Sequence, residues 1–299
     1  MNNPNSRRTF LKKTGVLSVS SMLPLSVLPL DYKYKMGLQL FTIRDAMAND
    51  PIGSIAYARG LGYEDGEIYG YDGENDSYYG IPSKEFKRQL DDLDFTISSG
   101  HYNFSNLFNE PENVLMRYVD QCIKGAKTLQ STYITWPWLA PEYRTIEHFK
   151  ILTDKLNKIG EQVNNAGLQF AYHNHDFEFT DHNGEQGYAI ILAETDPNLV
   201  KLQMDMYWVE HSSTKSIHDL IRENPKRYVM WHIKDMDRIT RDYSEMGNGS
   251  IDYKQILANI NKEDLQYYYL EQGGNFAKNS MQSITDSAQY FKKHLQRYL

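Results

Sequence analysis

Residues 170–179, with the sequence FAYHNHDFEF, set four polar groups between aromatic side chains: His173, His175, Asp176 and Glu178. Imidazole titrates near neutral pH and carboxylates are ionised there, so such groups can exchange protons or share a metal ion. The stretch is too polar for a strand buried in the core and too apolar for a surface loop. It therefore indicates a strand that ends at a functional site.

The elements that must position these groups repeat along the chain. From residue 34 onward, short β-type runs alternate with longer patterns that have helical apolar spacing. The β-type runs are KMGLQLFT, YEDGEIY, FTISSGH, TYITW, LQFAYHN, LVKLQMD, YVMWHIKD and YYYLEQ. Eight such units in roughly 270 residues predict an α/β fold, a single (β/α)8 TIM barrel over residues 31–299. A doubly wound open sheet is the alternative, but the first run lacks a glycine-rich phosphate turn.

In such a barrel the active site lies at the carboxyl ends of the strands. The last three runs carry Asp205, His232 and Glu271 at these ends. Because side chains alternate along a strand, these three share the parity that would face the barrel axis. Three unrelated polar strand ends are the alternative. Their occurrence on consecutive strands favours a divalent-metal site with positions open for substrate.

A fourth ligand is expected from strand five, where His173, His175 and Glu178 compete for the role. His173 and His175 share one face, whereas Glu178 follows the strand and could fold back over the mouth. We expect Glu178 to bind the metal and both histidines to act in catalysis, although one could instead orient a neighbour. Cys122 is the only cysteine, so a thiolate cluster is excluded and oxygen and nitrogen ligands remain.

Other polar or aromatic residues also lie at strand ends. We predict substrate contacts for Gln39, Glu67, His101 and Trp136, since an indole ring beside a polar mouth can stack on a sugar. Core packing is the commoner role of tryptophan. Lys234 has inward parity and could stabilise an oxyanion, with a surface salt bridge as the alternative.

The composition limits the partners. The formal net charge is −7, and the body of the chain has no stripe rich in lysine and arginine. This argues against nucleic acid and against electrostatic docking on an anionic membrane. Aromatic residues make up 13% of the chain and include 23 tyrosines, which suits a small carbohydrate-like ligand.

Residues 1–30 have the pattern of a twin-arginine export signal. Arg7 and Arg8 precede an uncharged apolar stretch over residues 16–30. Pro24 and Pro29 make this stretch a poor transmembrane helix, and a disordered basic tail is the alternative. We expect export to the periplasm and removal of the segment, which would leave residues 31–299 with a formal charge of −11.

Taken together, the motifs resemble the sugar phosphate isomerase/epimerase family of xylose isomerase-like TIM barrels. The segments that carry the resemblance are GLQLFTIRD, GYEDGEIYGY, YHNHDFEF, TDPNLVKLQMDMYWV, WHIKDM, GNGSIDYKQIL and YYYLEQ. They cover nearly everything after the signal. As a set they are specific for the family and say little about the substrate.

The resemblance implies one divalent ion at the barrel mouth, with Mn²⁺ expected and Zn²⁺, Mg²⁺ or Co²⁺ as alternatives. Family members hold it with Glu, Asp, His and Glu, which correspond here to the strand-five position, Asp205, His232 and Glu271. The two glutamates also serve as the acid/base pair in family epimerases. His173 stands where the first glutamate belongs, so either His173 or Glu178 would supply the remaining ligand.

The resemblance further implies proton abstraction alpha to a carbonyl, and hence a sugar isomerase or epimerase. The export signal and the lack of an anion-binding nest after strands seven and eight predict an unphosphorylated keto-sugar or keto-glycoside. A lyase or dehydratase on a 3-keto-glycoside and a non-catalytic sugar-binding barrel are the alternatives. A DNA-repair nuclease of the same fold is disfavoured by the negative charge of residues 31–299 and by the export signal.

We predict that the exported protein lacks residues 1–30. The measurement is N-terminal sequencing of protein recovered from the periplasm of the native host. An intact Met1 or Asn2 on that material would contradict the prediction.

Overall fold

A computed structural model describes residues 32–299, and these residues form a closed barrel of eight parallel strands. The strands are β1 (Gly37–Gln39), β2 (Asp65–Ile68), β3 (Thr96–His101), β4 (Tyr133–Trp136), β5 (Gln169–His173), β6 (Val200–Asp205), β7 (Tyr228–Ile233) and β8 (Tyr267–Leu270). Each strand pairs with its neighbours in chain order, and β8 closes on β1. The predicted (β/α)8 barrel is confirmed, and each predicted run supplies one strand. The predicted export signal lies outside the described residues.

Helices surround the barrel and connect its strands. They are α1 (Arg44–Met47), α2 (Pro51–Gly60), α3 (Ser83–Asp92), α4 (Glu112–Leu129), α5 (Ile146–Asn165), α6 (Gly187–Glu194), α7 (Met206–Ser212), α8 (Ile217–Glu223), α9 (Tyr253–Asn259) and α10 (Ser280–His294). Local sequence explains several helix starts; for example, the Asp50 side chain accepts a hydrogen bond from Gly53 N, and Pro51 occupies the first turn of α2. Over residues 32–299, no helix is long and apolar enough to cross a membrane.

Short elements complete the loops at the barrel ends. The two-residue strands are Tyr71–Asp72, Ser77–Tyr78, Ile81–Pro82, Asp181–His182, Glu185–Gln186, Asp235–Met236 and Tyr243–Ser244. The 3₁₀ turns are Leu40–Ile43, Phe104–Leu107, Pro141–Tyr143, Phe177–Phe179 and Gln296–Tyr298.

The strand register sorts the barrel interior into layers. Asp205 lies beside His232, and one step deeper Gln203 lies beside Met230. Alternate residues of each strand point toward the barrel axis. Those near the mouth are polar, and a small apolar group fills the barrel below them. This apolar group contains Tyr133, Ala171, Val229, Met230 and Tyr269. Residues of the opposite parity, such as Leu38 and Leu202, are buried in the larger core outside the barrel.

The loop after β7 is wrapped around one carboxylate. Asp235 Oδ2 accepts hydrogen bonds from Gly247 N at 2.8 Å and Gly249 N at 3.2 Å, and Asp235 Oδ1 accepts one from Ile251 N at 3.3 Å. A Cβ atom on Gly249 would lie 2.0 Å from Asp235 Oδ1, so only glycine fits the close approach. The arrangement fixes the backbone next to Lys234 at the barrel mouth.

We expect Gly249→Ala to destabilise the protein by about 1–3 kcal/mol, because the new methyl group would overlap the Asp235 carboxylate. The measurement is urea unfolding followed by circular dichroism. Gly274→Ala is the matched control, since a Cβ there would meet no heavy atom within 4 Å. Equal stability of the two variants would refute the proposed fit at Gly249.

Candidate active site

The carboxyl ends of the strands surround a cavity of about 530 Å³. His101, His173, Lys234 and Glu271 contribute to its polar lining, and Phe41, Tyr69, Trp138 and Tyr243 contribute aromatic faces. A cavity of about 410 Å³ lies elsewhere, beside Tyr34, Asp65 and Tyr267, and its lining contains none of the predicted site residues. The mouth cavity is therefore the candidate site.

The structure brings together the three ligands predicted from strands six to eight. Asp205, His232 and Glu271 each offer one ligand atom, and these atoms lie within 4.8 Å of one another. Asp205 ends β6, His232 lies beside it on β7, and Glu271 directly follows β8. Two carboxylates and an imidazole at this spacing fit a divalent ion.

His173 lies next to this group. Its Nε2 is 3.5 Å from Asp205 Oδ2, and within residues 32–299 its Nδ1 has no hydrogen-bond partner. Burial and the neighbouring His232 hold the pKa of His173 well below the usual value, so its imidazole is neutral, as a metal ligand requires. His173 also forms a second three-residue group with His101 and His232. The geometry thus offers His173 as a fourth ligand.

The structure gives Glu178 a different environment from the one expected. Its Oε1 accepts a hydrogen bond from Tyr172 Oη at 2.7 Å, and its Oε2 accepts one from His175 N at 2.8 Å. Burial raises the pKa of Glu178 to about 8, so the carboxyl group holds a proton at neutral pH. Glu178 belongs to neither of the three-residue groups found among the described residues. Of the two candidates that the sequence left open, the geometry favours His173 over Glu178.

Glu67, predicted to contact substrate, instead lies beneath the mouth with 0% of its surface exposed. Its two oxygens lie within 3.0 Å of donor atoms on four other strands: Gln39 Nε2, Ser99 Oγ, His101 Nε2, Gln203 Nε2 and His232 Nε2. Burial favours the neutral acid, but His101 and His232 outweigh it and lower the pKa of Glu67 well below the usual value. Glu67 is therefore a buried anion that orients the residues above it.

His232 lies between two carboxylates. Its Nε2 is 2.6 Å from Glu67 Oε2, and its Nδ1 is 2.5 Å from Glu271 Oε2. Burial alone would lower the pKa of His232, but Glu67 and Glu271 raise it to about 9. At neutral pH both ring nitrogens of His232 therefore carry a proton, Nε2 facing Glu67 and Nδ1 facing Glu271. Because Glu67 holds the proton on Nε2, Nδ1 is the nitrogen that could bind an ion, after release of the proton that faces Glu271.

Gln39 and His101 also have defined places. Gln39 is fully buried, and its Nε2 donates to Glu67 Oε2 at 2.7 Å and lies 3.3 Å from His101 Nδ1. Since Gln203 Oε1 can only accept, His101 Nε2 carries the proton and donates to it at 2.7 Å. His101 lines the cavity, so it can contact a ligand, whereas Gln39 acts through its neighbours.

The predicted sugar contact of Trp136 does not fit its position. The ring is 0% exposed, lies 5.4 Å from the Phe104 ring, and donates its Nε1–H to Trp138 O at 2.7 Å. The aromatic face at the cavity belongs to Trp138, which is 40% exposed. Pro137 directly follows β4, and both Pro137 and Trp138 line the cavity.

Lys234 and His175 complete the polar lining. Lys234 Nζ lies 2.6 Å from Asp205 Oδ2 and 2.9 Å from Glu271 Oε2. Burial opposes its charge, but these two carboxylates outweigh burial and raise the pKa of Lys234. Burial lowers the pKa of His175 well below its usual value, and its Nδ1 has no hydrogen-bond partner among residues 32–299. The polar lining thus includes a permanent cation, Lys234, and a neutral imidazole, His175.

An eight-stranded parallel barrel with a carboxylate–imidazole group at its mouth defines a TIM barrel with a candidate divalent-metal site. The sequence profile of the xylose isomerase-like TIM barrels matches residues 55–294. The chain belongs to this family. No curated protein matches it.

Three solved structures illustrate the shared fold. A sugar phosphate isomerase/epimerase from Parabacteroides distasonis has a TM-score of 0.76 at 22% identity, over 88% of this chain and 99% of that chain. The IOLI protein, whose crystal structure holds a zinc atom, has a TM-score of 0.70 at 16% identity, over 89% and 99%. The probable 3-DHS dehydratase AsbF from Bacillus anthracis has a TM-score of 0.67 at 13% identity, over 86% and 98%. At these identities the likeness shows the fold alone.

The raised pKa of Glu178 predicts a specific dependence of stability on pH. Between the unfolded pKa, about 4.3, and the folded pKa, about 8, the folded protein keeps a proton that the unfolded chain releases. Stability from this group is therefore lost as the pH rises through that window. Glu178→Gln removes the titration, so the variant should lose less stability between pH 5 and pH 8 than the wild type.

The measurement is urea unfolding at four pH values in the presence of a chelator, which keeps metal binding out of the comparison. Glu185→Gln, at an exposed position, is the control and should follow the wild type. A Glu178→Gln variant whose stability changes with pH as steeply as the wild type would show that the folded protein does not hold this proton.

Proposed function

We propose that the protein is a divalent-metal-dependent sugar isomerase or epimerase that acts on an unphosphorylated keto-sugar or keto-glycoside. The observation that carries the proposal is the compact group of Asp205, His232 and Glu271 at a cavity with aromatic walls. Membership of the xylose isomerase-like family supports it.

The residues that would hold the ion are Asp205, His232 and Glu271, with His173 as the fourth ligand. A divalent ion bound there would polarise the substrate carbonyl and the neighbouring hydroxyl. Two carboxylates and two imidazoles suit Mn²⁺ or Zn²⁺. We propose Mn²⁺, with Zn²⁺, Mg²⁺ and Co²⁺ as alternatives for the metal analysis.

The protein groups that face the cavity divide the remaining tasks. His175 lines the cavity and burial keeps its imidazole neutral, so it can take the proton from the carbon alpha to the carbonyl. Lys234 and His232 outweigh the effect of burial and lower the pKa of Glu271, so its carboxylate is ionised and can serve as the second base. Lys234 supplies positive charge for the oxygen that becomes negative. Return of the proton at a different carbon or on the opposite face gives isomerisation or epimerisation.

The lining supports a substrate without phosphate. Lys234 is the only lysine or arginine among the described residues that line the cavity, and one ammonium group is too little positive charge for a phosphate dianion. A phosphate would need unpaired cations or a nest of backbone amides. Phe41 and Trp138 are 41% and 40% exposed and offer flat apolar faces on which a sugar ring can stack.

We also propose that the protein works in the periplasm after export by the twin-arginine pathway. The Arg7–Arg8 pair and the apolar stretch over residues 16–30 support this proposal. Because this pathway carries folded proteins, a metal-loaded enzyme is a suitable cargo.

Incubation of the Mn²⁺-loaded protein with unphosphorylated ketoses and 3-keto-glycosides in D₂O should place deuterium alpha to the carbonyl of the true substrate class. The corresponding sugar phosphates should exchange poorly. Mass spectrometry of the sugar also detects loss of a beta-substituent, which would identify the lyase alternative. A protein that holds Mn²⁺ but exchanges no proton on any of these sugars would contradict the enzymatic proposal and favour a sugar-binding barrel.

Three variants assign the roles. His175→Ala should keep its metal and lose exchange by about 10²–10⁴-fold, the usual contribution of a general base. His173→Ala should weaken Mn²⁺ binding by about tenfold or more, as measured by calorimetry. Glu178→Gln is the control and should keep both metal and exchange. Loss of metal in Glu178→Gln, together with retention in His173→Ala, would reverse the ligand assignment.

A further inference from the structure

We infer that Lys234 occupies the place of the divalent ion in the metal-free protein, and that its ammonium group moves into the cavity when the ion binds. The inference rests on the proposed function in one respect, that a divalent ion binds at Asp205 and Glu271. It adds a coupling between metal loading and the presentation of a cation to the substrate.

The first step of the argument concerns Asp205. Its Oδ1 accepts hydrogen bonds from Tyr207 N at 3.1 Å and Trp208 N at 3.4 Å, because Asp205 caps the start of α7. Only Oδ2 is left without a backbone partner, and Lys234 Nζ lies 2.6 Å from it. A ligand distance of roughly 2.0–2.3 Å would place an ion where the ammonium group now lies.

The second step concerns Glu271. Lys234 Nζ is 2.9 Å from Glu271 Oε2, the same oxygen that faces His232 Nδ1. The ammonium group therefore contacts both of the carboxylates that would hold an ion. An ion and the ammonium group would compete for the same small space between these oxygens, because two cations repel each other strongly where little water reaches them. One of them must leave.

The third step shows which part of Lys234 can move. Tyr253 Oη accepts a hydrogen bond from Lys234 N at 3.1 Å and donates one to Lys234 O at 2.6 Å. The next residue, Asp235, is fixed by the backbone amides of residues 247–251. The backbone is thus held on both sides, whereas the four-carbon stem of lysine is flexible.

The cavity is the direction open to the side chain. Lys234 lines it together with Tyr243, whose ring centre is 5.9 Å from Nζ on the cavity wall. An ammonium group displaced by an ion can remain near this aromatic face, where a cation is stabilised. Lys234 then acts at the substrate only when the ion is in place, and in the metal-free protein it compensates two buried carboxylates.

The first experiment measures Mn²⁺ affinity by calorimetry on chelator-treated protein. Lys234→Met keeps most of the stem and removes the competing cation, so the dissociation constant should fall by about tenfold or more. Arg144→Gln is the control for net charge. It removes a positive charge near the rim, 5.1 Å from the Trp138 ring, without touching a ligand. Its dissociation constant should stay within about threefold of the wild type.

An unchanged or higher dissociation constant in Lys234→Met would overturn the inference and leave the proposed function intact. A matching fall in Arg144→Gln would also overturn it, because general electrostatics would then explain the effect. If neither the wild type nor Lys234→Met binds Mn²⁺, the inference and the proposed metal dependence both fail.

The second experiment uses only wild-type protein, so it tests the inference even if Lys234→Met fails to fold. Wild-type protein is treated with trinitrobenzenesulfonate with and without Mn²⁺, and modified lysines are quantified by peptide mass spectrometry. Lys234 is almost fully buried between carboxylates, so it should react slowly without the ion and about fivefold or more faster with it. Exposed Lys254 should react equally in both states. Unchanged or slower modification of Lys234 in the presence of bound Mn²⁺ would overturn the inference.

Discussion

The Glu67 carboxylate is the interaction on which the upper half of the barrel depends. An ionised carboxylate buried without partners would cost far more free energy than the fold could supply, so the surrounding strands must provide donors. They do so from β1, β3, β6 and β7, and each donor is thereby fixed in direction. His232 is the most important of these, because Glu67 holds its Nε2 and leaves its Nδ1 facing Glu271. One buried charge therefore sets the geometry of a site whose other members lie up to two hundred residues away in the chain.

The charges at the mouth are balanced within a small volume. Asp205 and Glu271 face Lys234, and His232 lies between Glu67 and Glu271. Each charged group has a partner of opposite sign, which is what allows this layer to be buried. Beside these charged pairs, burial and the neighbouring cations lower the pKa values of His173 and His175 and keep both rings neutral, which leaves ring nitrogens able to bind a cation or accept a proton. The same small region thus contains permanent charge and neutral, reactive nitrogen.

Much of this arrangement follows from the sequence. Strand alternation predicted eight strands and an inward parity for Asp205, His232 and Glu271, and the register of the barrel places them side by side. The parity of a residue predicts whether its side chain points toward the barrel axis, but not how far below the mouth it lies. Glu67 was therefore expected to line the cavity, although it lies beneath it. Both oxygens of Glu178 are taken by Tyr172 and by the backbone of His175, partners that depend on how the chain folds back after β5.

Trp136 illustrates the same limit of sequence patterns. A tryptophan at a strand end can face the outer core or the barrel axis according to its parity, and Trp136 has the parity opposite to that of Tyr133, which lies in the apolar group inside the barrel. Here the strand ends inside the core, and Trp138 emerges two residues later. Residues 137–140 form no regular element, and the direction of such a segment depends on packing against residues distant in sequence, so a local pattern did not place Trp138 at the rim.

The rim of the cavity, formed by Phe41 and Trp138, and its floor, formed by Gln39, Glu67 and His232, differ in their contacts with the rest of the molecule. Phe41 and Trp138 expose two-fifths of their surface and lie in loops, whereas the floor residues share one hydrogen-bond network. Exchanging an exposed rim residue costs little stability, and exchanging a floor residue leaves buried polar groups unpaired. Mutations at the rim can therefore change which ligands the cavity accepts, while the charged and hydrogen-bonded groups at the floor stay as they are. Evolutionary divergence on such a barrel should accumulate first among the rim residues and only rarely among the floor residues.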